Sequence, residues 1–178
     1  MTALRDVAEA RRALLEDSLL GVPMVAGHEG PLVDVGSGGG APGIPLASAL
    51  RDRPVTLLEA SRRKCEFLRR WTDDFPNVEV VRGRAEEAAV DTYGTAVAKA
   101  LAPPPVAAEW CLPLVRPGGA VVLWVGPTAD VAAVSRVADR IASEVADAPL
   151  GFIVLRKLGP TPARFPRRVG VARKRPLA

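Results

Sequence analysis

Apolar residues along the chain follow two alternating patterns, short continuous runs and longer stretches with apolar side chains at helical spacing. Runs bounded by Gly, Pro or Asn are typical of buried strands, and an apolar residue every three or four positions is typical of an amphipathic helix. The pattern predicts strands at 32–36, 55–59, 78–82, 95–100, 120–125 and 152–155, with 169–172 as a candidate seventh strand. It predicts helices at 3–20, 42–50, 61–75 and 129–145, and one that runs from the prolines at 103–105 to residue 114.

Strands that alternate with helices of this length imply a mostly parallel sheet with helices on both faces. We therefore expect an α/β protein with a Rossmann-like sheet that binds its ligand at the carboxyl ends of the strands. Residues 116–119 are predicted to form a turn. Ser61 is expected to cap the helix at 61–75, whose core-facing residues are predicted to be Cys65, Leu68, Trp71 and Phe75.

The first strand leads directly into a glycine-rich segment. Five glycines fall between Gly36 and Gly43, and Pro42 favours the first turn of the helix that follows. Glycines let a ligand approach the backbone closely. The second strand ends in the acidic Glu59, 23 residues after Gly36. In a βαβ unit, this spacing places a carboxylate beside the ribose of a nucleoside cofactor bound over the first turn.

Such a unit is compatible with nicotinamide-dependent oxidoreductases and with methyltransferases that use S-adenosylmethionine. Asp34 favours the methyltransferases, because its carboxylate would repel the pyrophosphate of a dinucleotide. In a methyltransferase it could order the glycine loop and the ammonium group of the cofactor. The alternative is that Asp34 only caps the next helix.

Length and composition fit a single domain without a membrane segment. The chain has 178 residues, of which 48% are hydrophobic, and it contains no uninterrupted apolar run of about 18 residues. Its first residues are charged and do not resemble a secretory signal, so we expect a cytoplasmic protein, and we expect a monomer. Cys65 and Cys111 are predicted to be buried thiols. With His28 as the single histidine, a metal site and Ser-His-Asp chemistry are both disfavoured.

Positive charge is concentrated near the C-terminal end of the sequence. The chain has 24 basic and 20 acidic residues, which give a net charge of +4. Residues 156–178 hold eight Lys or Arg and no acidic residue, so the preceding residues carry 16 basic against 20 acidic side chains. A segment of this kind is suited to phosphate contacts, and its interleaved apolar residues predict that it packs on the domain.

Several segments together resemble one family, the GidB/RsmG methyltransferases, over a range from about Leu14 to Leu177. The segments that carry the resemblance are Asp34–Ala47, Leu57–Glu59, Arg63–Leu68, Arg82–Glu87, Trp110–Leu114 and Phe165–Gly170. The resemblance implies one class I S-adenosylmethionine-dependent methyltransferase domain over 1–178, with a short helical region at 1–23 and a basic segment at 156–178. It also implies that the substrate is N7 of a guanine in the RNA of the small ribosomal subunit (16S rRNA).

The same resemblance implies S-adenosylmethionine as cofactor and assigns residues to it. Glu59 is expected to bind the ribose, and Ala85 with Glu86 to surround the adenine. Lys99 stands where relatives have arginine, Leu14 replaces a histidine that precedes Asp17, and Val125 is nearest to a position that is lysine in relatives. The full predicted set is Asp34, Gly36, Ser37, Gly38, Gly40, Ala41, Glu59, Ala85, Glu86 and Lys99.

Guanine N7 carries an in-plane lone pair, so methyl transfer to it needs alignment and not a catalytic base. No catalytic residue is predicted apart from Lys99, a candidate to lie between cofactor and base. The expected partner is ribosomal RNA or the small ribosomal subunit, with Phe165 or Trp124 stacking on an unpaired base. The residues expected to contact RNA are Arg164, Phe165, Arg167 and Arg168. The alternatives are a non-catalytic RNA-binding protein that keeps the cofactor pocket, and a small-molecule methyltransferase.

Overall fold

The computed structural model describes residues 6–178, so the first part of the helix predicted at 3–20 lies outside the described residues. The chain begins there with α1 Val7–Arg11, a π-helical turn Arg12–Glu16, α2 Asp17–Leu19 and α3 Val22–Ala26. Later helices are α4 Gly43–Ala49, α5 Arg62–Trp71, α6 Pro104–Cys111, α7 Val131–Arg140 and α8 Val171–Lys174, with 3-10 turns at Ala85–Glu87 and Leu112–Leu114. The strands are β1 Leu32–Val35, β2 Val55–Glu59, β3 Val78–Arg82, β4 Tyr93–Lys99, β5 Val115–Trp124, β6 Ser143–Ala146 and β7 Phe152–Lys157.

These strands form one sheet in the order β3-β2-β1-β4-β5-β7-β6. The first five are parallel neighbours, whereas β7 pairs antiparallel with both β5 and β6. Successive strand residues point to opposite faces, so Leu32 and Val33 belong to different buried clusters. The predicted α/β fold with a covered, mostly parallel sheet is confirmed. Sequence order reverses between β1 and β4, which is where open sheets of this kind bind ligands.

The predicted helix at 129–145 is wrong in its last five residues, 141–145. Helix α7 ends at Arg140, and Ala142 then adopts a left-handed conformation with a φ of 49°. Residues 143–146 continue as the edge strand β6, paired with β7. The apolar pattern conceals this break, because helical spacing continues through it at Val137, Ile141 and Val145.

Two shorter predictions are also wrong. The candidate strand at 169–172 is replaced by the start of α8, which follows Gly170 with a φ of 78°. The predicted turn at 116–119 lies inside β5 as a bulge, because Tyr93 and Thr95 of β4 stand opposite Val115 and Ala120. Pairing with β4 resumes after the bulge, so the Pro-Gly-Gly sequence interrupts the strand without ending it.

Helix α5 is shorter than predicted and differs in one core position. Cys65 and Leu68 are buried as expected, but Trp71 is 64% exposed. Ser61 occupies the N-cap position without a capping hydrogen bond from its side chain. Both cysteines of the chain are buried free thiols, which confirms their predicted state. Within residues 6–178, no helix has the length and apolar character needed to cross a membrane.

Candidate active site

A cleft of about 310 Å³ opens at the carboxyl ends of the central strands. Its walls come from segments that follow β1, β2, β3 and β4, together with parts of α6 and α8. Four predicted cofactor-binding residues meet here, although they are far apart in the sequence. Residues that line the cleft include Gly36, Glu59, Ala85, Glu86, Trp110 and Arg173.

The chain turns sharply at Gly36, directly after β1. Gly36 has a φ of 73°, which favours glycine, and its amide donates a hydrogen bond to Leu58 O at 2.8 Å. A Cβ atom at this position would lie 2.3 Å from Leu101 Cδ1, and Leu101 also lines the cleft. A larger residue at position 36 would therefore displace the cleft wall.

Glu59, at the end of β2, connects the glycine loop to the start of α5. Its Oε2 accepts a hydrogen bond from Gly38 N at 3.0 Å, and its Oε1 accepts one from Ser61 N at 2.7 Å. The side chain is 6% exposed and lines the cleft. A carboxylate held in this way can also accept hydrogen bonds from the hydroxyls of a bound ribose.

Asp34 is fully buried and is not among the residues that line the cleft. Its Oδ2 accepts a hydrogen bond from Gly43 N, the first residue of α4, at 3.0 Å. Burial raises the pKa of Asp34 to about 7, even though the hydrogen bond from Gly43 N favours the charged form. The observed contact is thus the helix cap considered as the alternative interpretation of this residue.

This raised pKa gives a prediction for the variant Asp34→Asn. The unfolded carboxyl releases its proton near its ordinary pKa of 3.8, whereas the folded one holds it up to about pH 7. The contribution of Asp34 to stability therefore falls as the pH rises through this window and is constant above it. Between pH 5 and 7, we expect wild-type stability to fall relative to the variant by up to about 1.4 kcal/mol per pH unit. Urea denaturation across pH 5–8 measures the difference, and parallel curves would contradict the assignment.

The other predicted loop residues stabilise the turn and are not among those that line the cleft. Ser37 is buried, and its Oγ donates to Asp34 O at 2.9 Å. Gly40 N donates to Ser37 O at 2.7 Å, and a Cβ at Gly40 would lie 2.4 Å from Ile44 Cδ1. Ala41 is partly buried between this turn and α4. These residues hold the shape of the loop, while Gly36 and Glu59 face the cleft.

The C-terminal segment closes the far end of the cleft. Glu86 Oε1 accepts a hydrogen bond from Gly170 N at 3.1 Å. The Arg173 guanidinium lies 5.6 Å from the centre of the Trp110 ring, a cation–π contact. Trp110 Nε1 is buried and has no hydrogen-bond partner among residues 6–178. Trp110 and Arg173 are not recognisable as site residues from the sequence, because only the docking of α8 on α6 brings them to the cleft.

Lys99 is the last residue of β4 and is not among the residues that line the cleft. Its Nζ forms an ion pair with Asp17 and donates to Ala13 O. Trp124 Nε1 donates to Asp17 O at 2.9 Å, and its ring packs edge-on against Phe152. Lys99 and Trp124 therefore hold the N-terminal helices against the ends of β4 and β5, and Trp124 is not available to stack on a base.

Two of the four residues predicted to contact RNA have structural contacts instead. Phe165 is 6% exposed and belongs to the core. Arg167 forms a bidentate ion pair with the buried Glu109. Its Nε donates to Oε1 at 2.5 Å and its Nη2 donates to Oε2 at 2.6 Å. Arg164 lies 5.4 Å from the Phe165 ring and remains exposed, as does Arg168. The basic segment packs as predicted, but its packing occupies part of the proposed RNA-binding surface.

A second cavity of about 590 Å³ adjoins the cleft beside α5. Lys64 lines both cavities, and Gly38, which Glu59 holds, lines the second. The other lining residues come mainly from the solvent side of α5: Arg63, Glu66, Phe67 and Arg70. Positive charge therefore extends from the edge of the cleft along this helix.

The cleft fits a nucleoside cofactor, because it combines a close glycine turn, a fixed carboxylate and the unpartnered Trp110 Nε1. An S-adenosylmethionine-dependent O-methyltransferase from Thermotoga maritima has a similar fold, with a TM-score of 0.64 at 17% identity over 85% of this chain and 69% of that one. An O-methyltransferase from neocarzinostatin biosynthesis, solved with S-adenosylmethionine, gives 0.63 at 19% identity over 80% and 57%. These likenesses show that the chain has the α/β fold of class I methyltransferases.

Sequence comparison places the chain in a particular family within this class. The model of the GidB family, described as rRNA small subunit methyltransferase G, matches residues 1–148. A ribosomal RNA small subunit methyltransferase G from Synechococcus elongatus is 36% identical, over 99% of this chain and 82% of its own length. One from Chloroflexus aggregans is 35% identical over the same shares. The chain belongs to the GidB family.

Proposed function

We propose that this protein transfers a methyl group from S-adenosylmethionine to N7 of a guanine in the RNA of the small ribosomal subunit. The proposal rests on the position of Glu59, whose carboxylate fixes the glycine loop and faces the cleft. It also rests on the membership of this chain in the GidB family. The substrate of the protein would be the free RNA or the assembled small subunit. A substrate of this kind would place the protein in the cytoplasm.

Four of the predicted residues are assigned direct contact with the cofactor. The backbone of Gly36 contacts the cofactor, and the Glu59 carboxylate binds the ribose hydroxyls. Ala85 and Glu86 lie beside the adenine. Trp110 joins them, because its buried Nε1 needs an acceptor that a bound molecule would provide. When bound, S-adenosylmethionine supplies a methyl group on a positively charged sulfur.

The residues of the cleft are suited to aligning guanine N7 with the methyl group of the cofactor. Guanine N7 attacks through its own lone pair, so no side chain has to remove a proton. Among residues 6–178, those that line the cleft include neither His nor Cys. Lys99 is proposed as a positioning residue, because it ties the N-terminal helices to the edge of the sheet where the base would enter.

Nucleoside mass spectrometry tests the proposal. Small-subunit RNA from cells without the gene should lack one 7-methylguanosine that is present in wild-type cells. Purified protein with S-adenosylmethionine should restore it in RNA or subunits from the deficient cells. If the protein binds both cofactor and RNA without transfer, it is the non-catalytic relative. If the RNA nucleosides are unchanged and a small molecule is methylated, the substrate class is wrong.

A further inference from the structure

Helix α5 exposes two aromatic side chains next to the second cavity. Phe67 is 40% exposed and Trp71 is 64% exposed, and their ring centres are 6.0 Å apart. Large aromatic rings on a solvent-facing helix leave apolar area in water without contributing to the core. Neither ring is used by the proposed cofactor site.

Basic residues surround these rings. Helix α5 contains five Arg or Lys and one acidic residue, Glu66, which pairs with Arg62 at 2.8 Å. Lys64 and Arg70 line the second cavity together with Phe67. We call this set the α5 surface: Arg63, Lys64, Phe67, Arg70 and Trp71. Positive charge interleaved with exposed rings is complementary to single-stranded nucleic acid, in which phosphates alternate with stackable bases.

The α5 surface is continuous with the cofactor cleft. Lys64 lines both cavities, and Gly38, in the wall of the second cavity, donates its amide to Glu59 in the first. A single-stranded RNA segment bound along α5 would therefore pass beside the proposed site of methyl transfer. The C-terminal segment is less suitable, because Phe165 is in the core and Arg167 is paired with Glu109.

We propose that the α5 surface binds an unpaired segment of the RNA substrate beside the target nucleotide. A base stacks on Trp71 and Phe67, and phosphates bind Lys64 and Arg70. The inference rests on the proposed function for its substrate, and it adds a recognition surface outside the cofactor site. Unpaired bases are the part of RNA that proteins read by stacking on aromatic side chains.

Binding of a small-subunit rRNA transcript to the protein saturated with S-adenosylmethionine tests the inference. Trp71→Ala should weaken RNA binding by about tenfold, within the range for one stacked base, while Trp71→Phe retains most of the affinity. Arg70→Ala should lower the slope of log affinity against log salt by about one, because one phosphate contact is lost. The affinity for S-adenosylmethionine should not change in any of these variants.

Matched controls are Leu150→Ala, at a fully exposed apolar residue, and Arg136→Ala, on the solvent face of α7. Both should bind RNA like wild type. Equal RNA affinity of Trp71→Ala and wild type would overturn the inference. So would a loss seen with intact small subunits but not with the transcript, because the surface would then contact a protein. If wild type binds the transcript but methylates neither the transcript nor intact small subunits, the proposed reaction fails, and the α5 surface is still judged by the binding data.

Discussion

Glu59→Ala is expected to lower the affinity for S-adenosylmethionine by about 100-fold. The variant loses the acceptor of two backbone amides, Gly38 N and Ser61 N, and with it the proposed ribose contact. Hydrogen bonds to a charged group each contribute about 1.5–3 kcal/mol, and about 2.7 kcal/mol corresponds to 100-fold in affinity. Isothermal titration calorimetry measures the change directly.

A graded series at this position separates loss of the carboxylate from loss of the fold. Glu59→Gln keeps one acceptor oxygen but presents its amide group to a second donor, so its affinity should lie between those of wild type and Glu59→Ala. Glu79→Ala, at an exposed position on β3, removes a carboxylate away from the cleft and should bind normally. Wild-type affinity in Glu59→Ala would show that the ribose lies elsewhere.

Arg167→Ala is expected to destabilise the protein by about 3 kcal/mol. Glu109 is 3% exposed, so removal of its partner leaves a carboxylate buried without its opposite charge. Chemical denaturation should show a lower midpoint with an unchanged slope. The result would confirm that this arginine stabilises the C-terminal segment.

The controls for this prediction use the neighbouring residue and the partner. Arg168→Ala, at an exposed arginine one position away, should alter stability by no more than about 0.5 kcal/mol. The double variant Arg167→Met with Glu109→Leu should recover most of the loss, because a buried ion pair can be replaced by packed apolar side chains. An Arg167→Ala protein as stable as Arg168→Ala would mean that the pair contributes little.

The sequence allowed the central part of the fold and site to be predicted, because that part is encoded locally. Glu59 was identified from its place at the end of an apolar run that follows a glycine loop, and the structure places it in the cleft. The break at Ala142 was missed, because a left-handed residue inside a continuing apolar pattern has no sequence signal when it is not glycine. Asp34 was compatible with two roles, and only its contact with Gly43 distinguishes them.

Residues brought together by docking could not be predicted in this way. Trp110 and Arg173 lie in separate helices, and their contact depends on how the C-terminal segment crosses α6. The number of basic residues in the C-terminal segment suggests that Arg167 is available to bind phosphate. The sequence does not show that Arg167 forms an ion pair with the buried Glu109. The number of arginines in α5 is also compatible with an ordinary solvated helix face. The exposed ring of Trp71, which the sequence pattern places in the core, is what distinguishes this surface.

Docking of the C-terminal segment also sets when the site can form during synthesis of the chain. The glycine loop and Glu59 belong to the first βαβ unit, so they are synthesised well before the C-terminal segment. The wall formed by Arg173 and the Gly170–Glu86 hydrogen bond requires residues 170–173, which are synthesised after all seven strands. A nascent chain that ends before α8 therefore lacks one wall of the cleft, even when the glycine loop and Glu59 have already been synthesised.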